Sequence, residues 1–288
     1  MNKIPVFLHI PKNAGTYVLG VTMSLFRYYG TRKGWKNKIG WNLNLRRILL
    51  QKKDKQIATL FVYDPEEIRH VNLKFKSLPT NEYCNVVDLN DFCKEFKRNQ
   101  LTLFSIIIED HGVKYIKDGL FDGFCTQADS TPFYYTILRD PYERALSLYS
   151  YITSSASLHE PTHNKFICGT FIDYINSYQL EDSWLIRKLS KIPDNEKITE
   201  DAFNEACSIL NNFTIKDIFY TDQLLQDTFL TCYGISQNLG DQTSINANKN
   251  SNSKKTKIKF DELNEETKKI FLERTEFDKR LYQKYCST

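Results

Sequence analysis

The chain has 288 residues, 41% of them apolar and 26% charged, a globular balance that argues against disorder. Thirty-nine Lys and Arg against thirty-five Asp and Glu leave a formal charge of +4, too mild for a protein that coats nucleic acid. The longest apolar runs, such as 104–108, fall far short of the ~20 residues that cross a bilayer, and the N-terminus lacks a signal-peptide layout. The seven cysteines include no C-x-x-C pair. They read as reduced thiols in a cytosol-like compartment, with one or two bridges an option in an oxidising one.

Residues 6–10 form a continuous apolar run, broken only by His9 and stopped by Pro11, and are expected to be a buried strand. Thr16 is expected to cap a helix reaching about residue 28, with Val18, Val21, Leu25 and Tyr28 on one face. Residues 31–60 carry nine Lys and Arg against one acid, Asp54, and 43–50 reads as helical. Strands are expected at 57–63, 86–89, 103–108 and 133–138, with a short helix at 91–98 and another at 140–151. Beyond residue 171 the pattern is helical except for a strand-like run at 215–220. The Asn-, Ser- and Lys-rich stretch 237–257 reads as a mobile loop ahead of a final helix at 264–285. Alternating strands and helices over the first 150 residues predict an α/β fold, a parallel sheet with helices on both faces, followed by a helix-rich C-terminal half. The chain reads as a single domain, 1–288, with 31–100 as a variable basic region.

Two strand–helix junctions carry chemistry. In the first, Pro11-Lys12-Asn13-Ala14-Gly15-Thr16, small residues let the backbone curl into a nest of N–H groups at a helix start. Lys12 adds a point charge and the Thr16 hydroxyl a donor, a set suited to phosphate or sulfate. It is not a Walker A loop, because the lysine precedes the glycine and G-x-x-x-x-G-K-[ST] is absent. A tight turn with an exposed lysine is the structural alternative. In the second junction Asp140 is a good N-cap, Pro141 fits the first helical position and Glu143 completes a capping box. Arg139 stands at the carboxyl end of a buried strand, where open α/β sheets bind ligands. With Ser147 it could grip one phosphate through charge-assisted bonds.

The stretch Phe7-Leu8-His9-Ile10-Pro11-Lys12-Asn13-Ala14-Gly15-Thr16 resembles the 5′-phosphosulfate loop of the sulfotransferases, nearest to the polysaccharide 2-O-sulfotransferase branch with its H-I-P-K-T-A-G-T. The stretch from Tyr135 to Tyr149, with Arg139, Asp140, Pro141, Arg144, Ser147 and Tyr149, is similar to the 3′-phosphate motif R-D-P-x-x-R-x-x-S-x-Y. Residues 184–190 and 276–282, the latter like a D-x-x-L-Y ending, resemble family segments more weakly. The resemblance implies a P-loop-NTPase-like fold and the donor 3′-phosphoadenosine 5′-phosphosulfate (PAPS), with PAP as product. It implies that Lys12 contacts the oxygen bridging phosphate and sulfate, and that Asn13, Ala14, Gly15 and Thr16 hold the 5′-phosphate. It also implies that Arg139 and Ser147 bind the 3′-phosphate, and it makes Lys254 and Lys255 candidates for closing over the nucleotide. Many animal relatives are Golgi-anchored. A chain whose first strand starts at once is expected to be a soluble cytoplasmic enzyme, or else a trimmed catalytic domain of the Golgi lumen.

Sulfuryl transfer to a hydroxyl needs a base. His111 follows strand 103–108 at its carboxyl end, where the family commonly places a His–Gly, and an imidazole suits neutral pH. Glu109 or Asp110 could orient it or replace it, and turn capping is the structural alternative. His9 is expected to be structural; His70, His159 and His163 read as surface residues. No metal spacing appears, and this chemistry needs none. The expected acceptor is a carbohydrate, neutral or anionic, and the excess of Tyr and Phe offers stacking surfaces for sugar rings. The alternatives are a tyrosine or small-molecule hydroxyl as acceptor, a nucleotide kinase, disfavoured by the missing Walker residues, and a binding module that has lost activity. Nucleic acid and a membrane span are not expected as partners, and the sequence leaves the oligomeric state open.

Overall fold

The computed structural model describes residues 2–15, 17–18, 21–22, 40–42, 47–52, 55–63, 103–109, 113–117, 119–127, 129–153, 169–193, 195–235 and 258–286. The chain divides into two compact units, Met1–Ile137 with Asn212–Ile245, and Leu138–Asn211 with Asn246–Thr288. The expected strand at 86–89, the helix at 91–98 and the loop at 237–257 lie outside the described residues.

The first unit is built on a sheet. Its strands are β1 (Asn2–His9), β2 (Gly40–Asn42), β3 (Arg47–Lys52), β4 (Lys55–Tyr63), β5 (Leu103–Glu109), β6 (Ser130–Leu138) and β7 (Thr214–Asp217), in the spatial order β2-β3-β4-β5-β1-β6-β7. The pairs β4/β5, β5/β1 and β1/β6 are parallel, whereas β2/β3 and β3/β4 are antiparallel. The α/β architecture with parallel strands is therefore present, with an antiparallel extension on one side. The expected helix over 43–50 is corrected, since Arg47–Lys52 is strand β3. Pairing with β4 supplies backbone partners that helical periodicity alone could not anticipate.

Val6, Phe7 and Leu8 are successive residues of β1 and all are buried, so both faces of the strand are covered. Helix α1 (Val113–Lys117) and helix α2 (Leu120–Gln127) connect β5 to β6, and Phe121 and Cys125 of α2 are fully buried. After β7 a 3-10 turn, Ile218–Tyr220, leads into a helix at Thr221–Tyr233 that packs on β1 through Leu224, Leu225 and Phe229. The expected strand at 215–220 is thus shortened. Asp217 Oδ1 accepts the Phe219 N–H at 2.8 Å and starts the turn.

The second unit is helical. It contains α3 (Pro141–Ile152), α4 (Phe171–Asn176), α5 (Trp184–Ser190), α6 (Glu200–Leu210), α8 (Glu265–Arg274) and α9 (Glu276–Cys286), the helix at Thr221–Tyr233 counting as α7. Tyr142, Tyr149, Phe171, Tyr174 and Phe271 form its aromatic core, and the Tyr142 ring meets Phe171, Phe260 and Phe271 edge-on at 5.2–5.6 Å. Such contacts add roughly 0.5–1.5 kcal/mol each beyond area burial. The expected final helix is divided into two at Thr275.

Buried charge organises this unit. Asp278 is 3% exposed, and its two carboxylate oxygens accept the N–H groups of Leu185 and Ile186 at 3.1 Å. It thereby caps α5, whose own N-cap, Ser183, is left-handed and makes no side-chain cap bond. Burial pushes the Asp278 carboxyl upward, opposed by Arg144, the two N–H groups and Arg187. Arg144 lies 4.2 Å over the Trp184 ring. Arg187 donates to the carbonyls of Asp182, Pro193 and Glu196 at 2.6–2.9 Å. Asp278→Ala removes the carboxylate facing Arg144 and both N–H acceptors, with an expected loss of about 3–5 kcal/mol. Urea denaturation checks this, and Asp278→Asn, which keeps one acceptor oxygen, should lose distinctly less.

Candidate functional site

Loop 10–15 leaves the carboxyl end of β1. Lys12 and Ala14 adopt left-handed backbone, with φ of 69° and 62°, and Asn13 between them does not. Alternation of this kind turns successive N–H groups toward one concavity. Each non-glycine residue held there costs on the order of 1 kcal/mol, so the surrounding packing must fix it.

Three contacts do so. The Asn13 side chain is 1% exposed, and its Nδ2 donates to the Ile137 carbonyl of β6 at 3.0 Å, tying the loop to the neighbouring strand. The Asn13 N–H donates to the Ile10 carbonyl at 3.1 Å, which closes the turn and engages that N–H within the loop. The His9 ring occupies the space beside Gly15, so a Cβ built on Gly15 would stand 1.8 Å from His9 Cδ2. No side chain fits there while His9 keeps its position beside Phe7.

Residues 15, 17, 18, 21 and 22 are helical, and the N–H groups of Tyr17 and Val18 donate to the Ala14 carbonyl at 2.9 and 3.0 Å. The helix thus opens at Gly15 with Ala14 as its cap, two residues ahead of the expected Thr16 cap. The Ala14 carbonyl thus takes up the N–H groups of Tyr17 and Val18, and the positive end of the helix comes to the loop at Gly15. Tyr17, next on that turn, donates its hydroxyl to Asp222 at the start of α7. Together these features form a rigid cradle with a lysine on its rim, suited to a tetrahedral anion.

The second junction, in the second unit, begins one residue after β6. Asp140 caps α3, its Oδ1 accepting the N–H groups of Tyr142 and Glu143 at 2.9 and 3.2 Å. The expected reciprocal bond of a capping box is replaced. Glu143, in the first turn, pairs with Arg139 just ahead of the cap, Oε2 to Nη2 at 3.3 Å. The Arg139 side chain is 22% exposed, partly withdrawn from water yet still able to meet a ligand. Ser147, two turns on, is half-buried. Tyr142 donates to the Ile258 carbonyl at 2.9 Å, and burial pushes its phenol up to about 12.

Of the residues singled out from sequence, Lys12, Asn13, Ala14 and Gly15 belong to the first unit, and Arg139 and Ser147 to the second. Thr16, Asp110, His111, Lys254 and Lys255 lie outside the described residues, as do His70, His159 and His163. For Glu109 the strand pairing is described, opposite His9. Sequence reasoning missed the Asn13 bridge and the Glu143–Arg139 pair. The second carried a usable signal, opposite charges four apart on a helix start. Among the described residues no group of three or more His, Cys, Asp or Glu could hold a metal ion, and no helix is long and apolar enough to cross a membrane. No family model matches the chain, and neither a curated protein nor a solved structure matches it.

The close contact at Gly15 is testable. Gly15→Ala should destabilise the protein by about 1–3 kcal/mol, as overpacking does. Combined with His9→Ala, which removes the ring, most of that added loss should disappear. Urea midpoints of the four proteins give the coupling directly.

Proposed function

We propose that the chain is a sulfotransferase with the P-loop-NTPase-like form of the α/β fold, using PAPS and transferring its sulfuryl group to a carbohydrate hydroxyl. The observation that carries this reading is the cradle of loop 10–15, with left-handed Lys12 and Ala14 ahead of a helix start. That cradle belongs to the H-I-P-K-x-A-G-T segment whose likeness to the 5′-phosphosulfate loop first suggested the family. The residues present fit the donor: an anion nest with a lysine, and separately a partly buried arginine after β6 with a serine on the helix behind it. No metal is required by this reading.

When bound, the donor supplies an activated sulfuryl group with a phosphate as leaving group. Lys12 and the positive end of the helix that opens at Gly15 would neutralise charge growing on that phosphate, which favours the transition state over the ground state. Arg139 and Ser147 would hold the 3′-phosphate that separates this donor from plain adenylates. His111, with Glu109 or Asp110 as orienting group or substitute, would take the acceptor proton. Lys254 and Lys255 would add cations to the nucleotide. A carbohydrate acceptor accords with the branch of the family that the first motif resembles; a tyrosine or small-molecule hydroxyl is the second reading.

Thermal shift with PAP, ATP and ADP tests the donor. PAP should stabilise the protein by more than either nucleotide, and stabilisation by ATP without PAP rejects the proposal. Arg139→Ala should weaken PAP binding roughly 10- to 100-fold and Ser147→Ala by less, the difference expected between a charged and a neutral donor. His111→Ala should abolish turnover, measured with labelled donor on a glycan panel, while PAP binding survives. Near-normal turnover in that variant would move the base to Glu109 or Asp110.

A further inference from the structure

The Glu143–Arg139 pair bears on the proposed donor site, and its role there rests on the sulfotransferase reading. Asp140 Oδ1 accepts the N–H groups of Tyr142 and Glu143 at the start of α3. The Glu143 carboxylate does not complete a capping box and instead meets Arg139 Nη2 at 3.3 Å. The arginine is 22% exposed and the glutamate 52%. A cation partly withdrawn from water has a standing counter-charge before any ligand arrives.

We infer that Glu143 attenuates the 3′-phosphate site: it neutralises Arg139 in the empty protein and holds down the affinity for the 3′-phosphate. Two effects compete when it is removed. Losing the pair removes one contact that orders the arginine, and re-ordering that side chain on binding weakens affinity by a factor of a few. Losing the carboxylate also removes a like charge beside an incoming dianion and leaves the guanidinium a stronger phosphate donor. At a half-exposed surface that gain is roughly five- to tenfold, doubled charge on the phosphate making it the larger effect. The net expectation is tighter binding without Glu143.

The physical logic is product release. Donor and product carry the same 3′-phosphate, so an arginine that grips it without opposition holds the spent nucleotide as firmly as the fresh one. Binding of that kind is uniform and adds nothing to the chemical step.

Calorimetric titration of wild type, Glu143→Gln and Arg139→Ala with PAP and with AMP, which lacks the 3′-phosphate, tests the inference. Glu143→Gln should bind PAP about five- to tenfold more tightly with AMP affinity unchanged, so the PAP-to-AMP ratio rises. A merely structural role would move both ligands together or neither. An unchanged or lower ratio in Glu143→Gln, with the ratio lowered in Arg139→Ala, overturns the role of Glu143 and leaves the donor reading intact. An unchanged ratio in Arg139→Ala rejects Arg139 as the 3′-phosphate ligand and takes the Glu143 assignment with it. Glu143→Ala provides a second variant at this exposed position, and circular dichroism verifies that each protein is folded.

Discussion

The central place of β1, paired in parallel with β5 on one side and β6 on the other, is the constraint on which the candidate site depends. Parallel neighbours bring the carboxyl ends of all three strands to one edge of the sheet, and burial on both faces removes any freedom to slide. The loop leaving β1 is then held from two directions. Asn13 reaches across to Ile137 on β6, and His9 closes over Gly15. The left-handed conformations at Lys12 and Ala14 persist because the neighbouring strand and the His9 ring determine them, not because their own side chains favour them.

The second unit handles charge differently. Asp278, Arg144 and Arg187 are all buried: the carboxylate meets helix N–H groups and guanidinium charge, Arg144 lies over an indole face, and Arg187 meets three carbonyls. Arrangements of this kind add little net stability when complete and are costly when broken. Two of these residues stand in segments that resemble sulfotransferase motifs only weakly, 184–190 and 276–282. Here those segments hold the fold: Asp278 starts α5, and Arg187 ties that helix to the chain immediately after it. Motif membership alone therefore does not make a ligand, and Arg139 and Ser147 differ from Arg144, Arg187 and Asp278 in retaining exposure.

The sulfotransferase reading combines a sequence likeness with a local geometry that suits the same chemistry. Under that proposal, backbone alternation at 12–14 and the helix opening at Gly15 would serve the 5′-phosphate, and the Asp140-capped start of α3 the 3′-phosphate. In both junctions the charged side chain is flanked by groups that hold it or the backbone beside it. Glu143 is the exception, since its carboxylate pairs with the proposed ligand arginine and bonds no helix N–H.

Much of this was legible in the sequence. Strands β1, β4, β5 and β6 announced themselves as apolar runs bounded by breakers, and Asp140-Pro141 announced α3, because local chemistry alone decides them. The two junctions could also be picked out in advance, since each sets a cation close to a strand end and a helix start in the chain. What could not be read was decided by partners far along it. Residues 47–52 became a strand through pairing with β4, and the cap of α5 came from Asp278, 93 residues beyond Leu185. Asn13 turned to β6 across 124 residues. Glu143 meets Arg139 instead of returning to the N–H of Asp140, as a capping box would have it. The sequence by itself determined which groups were available; only the tertiary structure decided which partner each one met, because hydrogen bonds and ion pairs depend on distance in space and not on separation along the chain.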